Sequence, residues 1–220
     1  MYYINIMDSA SPIMNEILIL HDHFMMICTM MTVPIMYLLS INSMKNFKYP
    51  FINNLKMEIM YSIIPLIFIL LFIFPSMHLI FLMESCDISL ISLKIMGNQW
   101  YWSYELKQFN KNFNSYMIPE NEIKSPKMKF LEVNNKLILP YNIPIRLLAS
   151  SSDVIHAWTI QNLGIKLDAI PGHLNQINLF ICRPGKFLGQ CSEICGINHS
   201  FMPIIMETIN IKLFLNNQTN

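Results

Sequence analysis

The sequence predicts a membrane-spanning α-helical hairpin followed by an all-β domain, and three observations predict it. Two apolar stretches, 23–44 and 59–83, contain no Asp, Glu, Lys or Arg, and each exceeds the ~20 residues that cross a hydrocarbon core as a helix. Charged residues make up 13% of the chain and hydrophobic ones 53%, whereas soluble proteins carry roughly one quarter charged residues. Beyond Asp87 the helical period gives way to short apolar runs, and all six glycines lie there. A chain of 220 residues holds one anchor and one domain of ordinary size, about 100 to 150 residues. The expected partition is therefore an N-terminal segment and hairpin over 1–86, with spans near 12–44 and 58–83, and a second domain over 87–220. A formal charge of +1 favours neither nucleic acid nor another polyionic partner.

Taken in order, the first span opens on Ser11-Pro12, where Ser11 suits an N-cap, Pro12 the first helical turn, and Glu16 the positive helix end. No basic segment precedes a short apolar core, and Asp8 and Glu16 do not suit a transit peptide, so no removable targeting segment is expected. His21, Asp22 and His23 open this span and His78 sits late in the second; they read as interfacial anchors. The connection holds Lys45, Lys48 and Lys56, no acidic residue, and Pro50 with Asn53-Asn54 for a turn. A short basic loop stays on the inner side of the membrane, which puts the N-terminus and the second domain together on the outer side. Pro65 and Pro75 predict kinks, which neighbouring helices in a membrane can accommodate. Glu58 opens the second span, and a carboxylate beside hydrocarbon calls for a functional hypothesis.

Strands are expected within Ile88–Met96, Lys129–Val133, Leu137–Leu139, Ile145–Leu148, Ala157–Ile160 and Ile177–Ile181, with turn residues between them. That pattern predicts an antiparallel sandwich or barrel. A short helix is expected over Ile211–Asn217. Trp100, Tyr101 and Trp102 form an aromatic run of strand type.

The five cysteines make no even framework. Cys28 and Cys86 read as small soft hydrophobes beside the spans. Cys191 and Cys195 are different, because Gly189 to Met202 packs two thiols, the His199 imidazole and the Met202 thioether into one loop. Thiolates and thioethers are soft donors, imidazole suits copper, and a weak methionine is typical of electron-transfer copper sites. Zinc is the competing metal: a spacing of three between the cysteines is permitted for it, but Met202 is left unexplained. A Cys191–Cys195 disulfide or an inert thiol pair is a further alternative. A ligand from a distant strand is still needed, and His156 within Asp153-Val-Ile-His-Ala-Trp158 is the candidate.

These segments resemble a known family. Ser-Pro-Ile-Met at 11–14, His-Asp-His at 21–23, Gln-Trp-Tyr-Trp-Ser-Tyr-Glu at 99–105, Asp-Val-Ile-His-Ala-Trp at 153–158, Leu-Asp-Ala-Ile-Pro-Gly at 167–172 and the cysteine loop are similar to cytochrome c oxidase subunit II of the mitochondrial type. The resemblance implies a Greek-key cupredoxin domain on a two-helix anchor in the mitochondrial inner membrane. The N-terminus and the domain would lie in the intermembrane space and the inter-helix loop in the matrix. It implies a binuclear copper A centre whose two copper ions share the sulfurs of Cys191 and Cys195. His156 and Met202 would complete one copper, and His199 with the backbone carbonyl of Glu193 the other. The Glu193 side chain would bind a magnesium ion shared with subunit I. Trp100 would be where electrons from cytochrome c arrive, for onward passage to haem in subunit I, while Trp102 reads as structural. Glu58 would lie near the mouth of a proton pathway, or serve as an interfacial anchor.

The chain departs from the family where cytochrome c docks. The stretch Lys107-Gln-Phe-Asn-Lys-Asn-Phe-Asn114 carries no acidic residue, leaving Glu105 and Asp153 as the docking carboxylates. A shallow salt dependence of cytochrome c oxidation is therefore expected. Asn98 and His173 stand where His and Arg are more usual, and Cys182 is an added thiol.

Overall fold

The computed structural model describes residues 7–45, 54–84, 88–122 and 129–219. Most of the basic connection, including Lys48, Pro50 and Asn53, and the expected boundary at Cys86 and Asp87 lie outside the described residues.

Two compact units result: Glu16–Leu82, and Met1–Asn15 with Met83–Asn220. The expected division at residue 86 differs from this at the N-terminal end. The Ala10 N–H donates to Asn162 O at 2.8 Å, and Ala10 O accepts from the Cys182 N–H at 2.9 Å. These long-range backbone bonds tie the N-terminal segment to the β-domain.

The hairpin unit is built from α1 (Pro12–Lys45) and α2 (Leu55–Glu84), both apolar enough to span a membrane. Ser11 is the N-cap of α1: its Oγ accepts from the Met14 N–H at 3.0 Å and donates to Leu163 O at 2.7 Å. Glu16 lies past the first turn, so its expected part at the helix end is small. Asn54 Oδ1 accepts from the Lys56 N–H at 3.1 Å ahead of Glu58, which does occupy the first turn of α2. Pro34 in α1 and Pro65 and Pro75 in α2 all lie inside uninterrupted helices. The two helices meet edge to face at Phe24 and Phe72, with ring centroids 4.8 Å apart. His23, His78 and Glu16 line a cleft of about 290 Å³ beside them.

The β-domain has two five-stranded sheets. The first runs β3 (Lys111–Ser115), β2 (Tyr101–Leu106), β1 (Ile91–Asn98), β5 (Pro144–Ser151), β8 (Asn175–Phe180). The second runs β4 (Leu137–Pro140), β10 (Pro203–Ile209), β9 (Gly185–Cys191), β6 (His156–Ile160), β7 (Ile165–Ala169). Burial alternates along β1, β2 and β5, as expected of strands with one face in a core. Leu93, Ile95, Leu147 and Ala149 of one sheet and Leu139, Ile160, Leu167 and Ile204 of the other fill the space between them. The Trp158 Nε1–H donates to the Tyr104 hydroxyl at 3.2 Å, a bond from one sheet to the other. Burial raises the pKa of that phenol far above its usual value.

Two expectations need correction. The sandwich is not wholly antiparallel, because β1 pairs with β5 and β10 with β4 in parallel. The chain changes sheets between these strands, so each parallel pair joins segments far apart in sequence. Lys129–Val133 is not a strand either: residues 129–131 form a turn with Phe130 at φ 64°, and only Val133 bridges Met117. The C-terminal helix, α3 (Ile211–Thr219), is present. Asn210 Oδ1 accepts from the Lys212 N–H at 3.0 Å, and the buried Phe214 meets Phe109 edge to face.

Candidate metal centre

The sequence-predicted donors meet at one end of the second sheet because three strands begin or stop there. Cys191 ends β9, His156 begins β6 beside it, and Met202 directly precedes β10. Trp158 pairs with Cys191 in register, which sets His156 just beyond the last paired residue. The loop 192–202 then returns the chain to β10.

Donor atoms lie close together. Cys191 Sγ is 3.9 Å from His156 Nδ1 and 4.0 Å from Cys195 Sγ. Cys195 Sγ is 3.4 Å from His199 Nδ1 and 3.7 Å from Met202 Sδ. Glu193 O lies 3.3 Å from Cys191 Sγ and accepts its thiol proton. Two atoms bound at about 2.0 to 2.3 Å to one tetrahedral ion stand about 3.3 to 3.8 Å apart, so these spacings suit shared metal ions. At 4.0 Å the sulfurs are about twice an S–S bond length apart, which leaves no disulfide here. His156, Cys191 and Cys195 form a mutually close, buried group. His199 joins through Cys195 and is half-buried.

The electrostatics of the thiols are those of a closely coupled pair. Burial raises the Cys191 pKa, but the hydrogen bond with His156 and backbone groups at Ala157 and Glu193 outweigh it, giving a value of about 7. Cys195 moves the other way: burial, then the charge on Cys191, push it up to about 12. Without a cation between them, one of the two keeps its proton near neutral pH. The donor set therefore fits a thiophilic metal.

The surrounding residues fix the donors. A Cβ added at Gly97 would lie 2.7 Å from His156 Cδ2 and 2.9 Å from its Cγ, so only a glycine lets β1 pass this ring. Trp102 is fully buried, stands edge-on to the His156 ring at 5.9 Å, and donates from Nε1 to Met202 O at 3.2 Å. The structural reading of Trp102 thus holds. Trp100 Nε1 and Gln99 Nε2 both donate to Cys195 O, at 3.2 and 2.8 Å. Gly97 carried no signal in the sequence, and Gln99 appeared only as part of the 99–105 motif with no role of its own, because both roles arise only where β1 and β2 cross the metal loop. We expect Gly97→Ala to displace the His156 ring and weaken metal retention about 10-fold or more, read as metal lost to a chelator over time.

Of the other predicted residues, Asp153 touches this cluster, while Glu105 and Glu58 are not among its donors. Glu105 on β2 pairs with Lys94 at 3.5 Å. Asp153 bonds to His156 Nε2 at 2.9 Å. Burial opposes ionisation of Asp153, but bonds from His156, Val154 and Gln99 win and hold its pKa low. Burial likewise opposes charge on His156, yet Cys191 and Asp153 together raise its pKa. Glu58 belongs to the hairpin unit. Asn98 donates from Nδ2 to Ser103 Oγ at 2.8 Å, and Cys182 is exposed.

Two apolar helices and a two-sheet domain with soft donors gathered at one sheet end define a membrane-anchored protein of the cupredoxin-like class. A model of the transmembrane domain of cytochrome c oxidase subunit II matches residues 1–79, and one of its periplasmic domain matches 91–209. Cytochrome c oxidase subunit 2 of Choristoneura rosaceana is 48% identical over 214 residues, 96% of this chain and 94% of that protein. The Drosophila melanogaster protein of the same name is 44% identical over the same shares. Among solved structures, the periplasmic domain of subunit II of cytochrome oxidase of Bradyrhizobium japonicum has a TM-score of 0.57 at 38% identity, covering 61% of this chain and 95% of that one. A mixed disulfide between a thioredoxin-like protein and subunit II of cytochrome c oxidase gives 0.54 at 35% identity, covering 62% and 93%. The chain belongs to the cytochrome c oxidase subunit II family. It is an inner-membrane protein of the mitochondrial type and a subunit of cytochrome c oxidase.

Proposed function

We propose that this chain accepts electrons from reduced cytochrome c at a binuclear copper A centre and passes them to haem in subunit I, where oxygen is reduced to water and protons are pumped. The observation that carries this reading is the convergence of two sulfurs 4.0 Å apart, each with its own imidazole nitrogen, at 3.9 and 3.4 Å. Two copper ions sharing both thiolates would supply a one-electron site spread over two metals, with little change in bond length between oxidation states. Cys191 and Cys195 would hold both ions through their sulfurs. His156 and Met202 would complete the set on one ion, and His199 with the Glu193 carbonyl on the other. All these donors are protein groups, buried except for the half-buried Glu193 and His199, which suits an electron carrier that binds no substrate.

Trp100 receives the electron. Its indole is hydrogen-bonded to the carbonyl of a ligand residue, Cys195, which supports a short route to the metals. Ile194 and Ile197 on the same loop are 82% and 93% exposed. Apolar side chains so placed support a loop face covered by subunit I in the complex. The Glu193 carboxylate on that loop would bind magnesium shared with subunit I. Glu58, in the first turn of the second helix, is assigned to the mouth of the proton pathway.

The bonds from Ala10 to the β-domain support an N-terminus on the same side as that domain, in the intermembrane space. The basic connection then faces the matrix.

Glu105 and Asp153 are the docking carboxylates, but Lys94 already partners one and internal donors the other. Cytochrome c KM should therefore change no more than about threefold over roughly 50 to 200 mM ionic strength. A steeper rise would place the docking charge on other residues.

Electron paramagnetic resonance of the purified complex tests the proposal. Hyperfine structure from two equivalent coppers sharing one unpaired electron is the expected result. A colourless, zinc-loaded centre of normal fold would overturn it.

A further inference from the structure

Asp153 is exposed, as a residue that meets cytochrome c would be, yet its carboxylate also accepts from three donors of this chain. Oδ1 takes the His156 Nε2–H at 2.9 Å and the Val154 N–H at 2.6 Å. Oδ2 takes the Gln99 N–H at 2.6 Å. Ser151 Oγ stands 3.2 Å from Oδ1 and also accepts from the Asp153 N–H at 3.2 Å. The carboxylate thus joins two pieces of chain that the fold brings together from different sheets. One is the His156 arm leading into β6; the other is the turn between β1 and β2, which carries Trp100.

We infer that Asp153 is a positioning residue that orients the His156 imidazole for metal binding and holds the Trp100 turn against the metal loop. Bonding at Nε2 fixes the proton there, so Nδ1, the atom facing Cys191, presents its lone pair. The bond to the Gln99 N–H fixes the turn whose next two donors, Gln99 Nε2 and Trp100 Nε1, grip Cys195 O. One carboxylate therefore sets both a ligand and the electron-receiving ring. The inference rests on the copper reading and adds to it a cause for the alignment of ligand and tryptophan.

Two variants of the assembled oxidase test it. In Asp153→Asn the carbonyl oxygen still serves His156 and Val154, but the amide N–H₂ now faces the Gln99 N–H and releases the turn. In Asp153→Ala both ties go. We expect Asp153→Ala to lose copper to a chelator about 10-fold faster than wild type and to show an altered hyperfine pattern. Asp153→Asn should keep a near-native pattern while kcat falls, beyond any rise in KM from the lost docking charge. If Asp153→Ala does not assemble, Asp153→Asn decides by whether kcat itself falls. A purely docking role predicts the opposite: native spectra and copper retention in both variants, with raised KM and unchanged kcat, and that result overturns the inference. A wild-type complex without a copper signal overturns the copper reading itself, a distinct failure.

Discussion

Cys195→Ser in the assembled oxidase is expected to abolish the mixed-valence copper signal and to lower cytochrome c oxidation on the order of 100-fold or more. Cys195 is the most connected donor, with Cys191, His199 and Met202 sulfur or nitrogen atoms within 4.0 Å of its Sγ. A serine hydroxyl is harder than a thiolate and keeps its proton at neutral pH, so it cannot serve as a soft bridge. The fold should survive, because the change is nearly isosteric. The bonds from Gln99 and Trp100 end on the Cys195 carbonyl, which the substitution leaves in place. Haem content and subunit stoichiometry should therefore match wild type while copper falls. A variant that retained the wild-type hyperfine pattern would show that this sulfur is not shared between two metals.

The hairpin and the donor loop were legible in the sequence for the same reason: each is local. An apolar stretch such as 59–83 states its environment by itself, and Cys191 to Met202 lie within one loop. Ser11 as an N-cap is similarly local, and the structure has it in that role. Strands were read less completely. β3 is Lys-Asn-Phe-Asn-Ser, an edge strand made mostly of residues with poor strand preference, and it is held by pairing with β2. β9 carries two glycines and a lysine, and β10 opens on proline; both depend on each other and on β6 and β4. Such strands follow from tertiary pairing, which no local pattern encodes.

His156 could be read only as the candidate for a missing distant ligand, since 35 positions separate it from Cys191 and the β6–β9 pairing explains their meeting. The supporting shell was least visible. Gly97 matters because a ring from another sheet passes it, and Gln99 because its amide reaches a carbonyl 96 positions along the chain. The N-terminal tie of Ala10 to Asn162 and Cys182 is of the same kind.

Trp100→Ala is expected to reduce kcat for cytochrome c on the order of 100-fold, equivalent to about 2.7 kcal/mol of barrier, with KM close to wild type. The ring is only half-buried and touches Cys195 through a single hydrogen bond of 3.2 Å, so its removal leaves the donor atoms in place. Gln99 Nε2 still holds the same carbonyl at 2.8 Å. Copper content and hyperfine pattern should therefore be unchanged, which separates this variant from those that disturb the centre. Trp100→Phe keeps an aromatic ring but loses the Nε1–H donor, and should fall between alanine and wild type. Trp102→Phe is the informative contrast, because its Nε1 bond supports Met202 O and its edge supports His156. That variant should alter the hyperfine pattern before it alters electron arrival. If Trp100→Ala instead raised KM and left kcat intact, the indole would be a contact for docking, and electrons would reach Cys195 by another path.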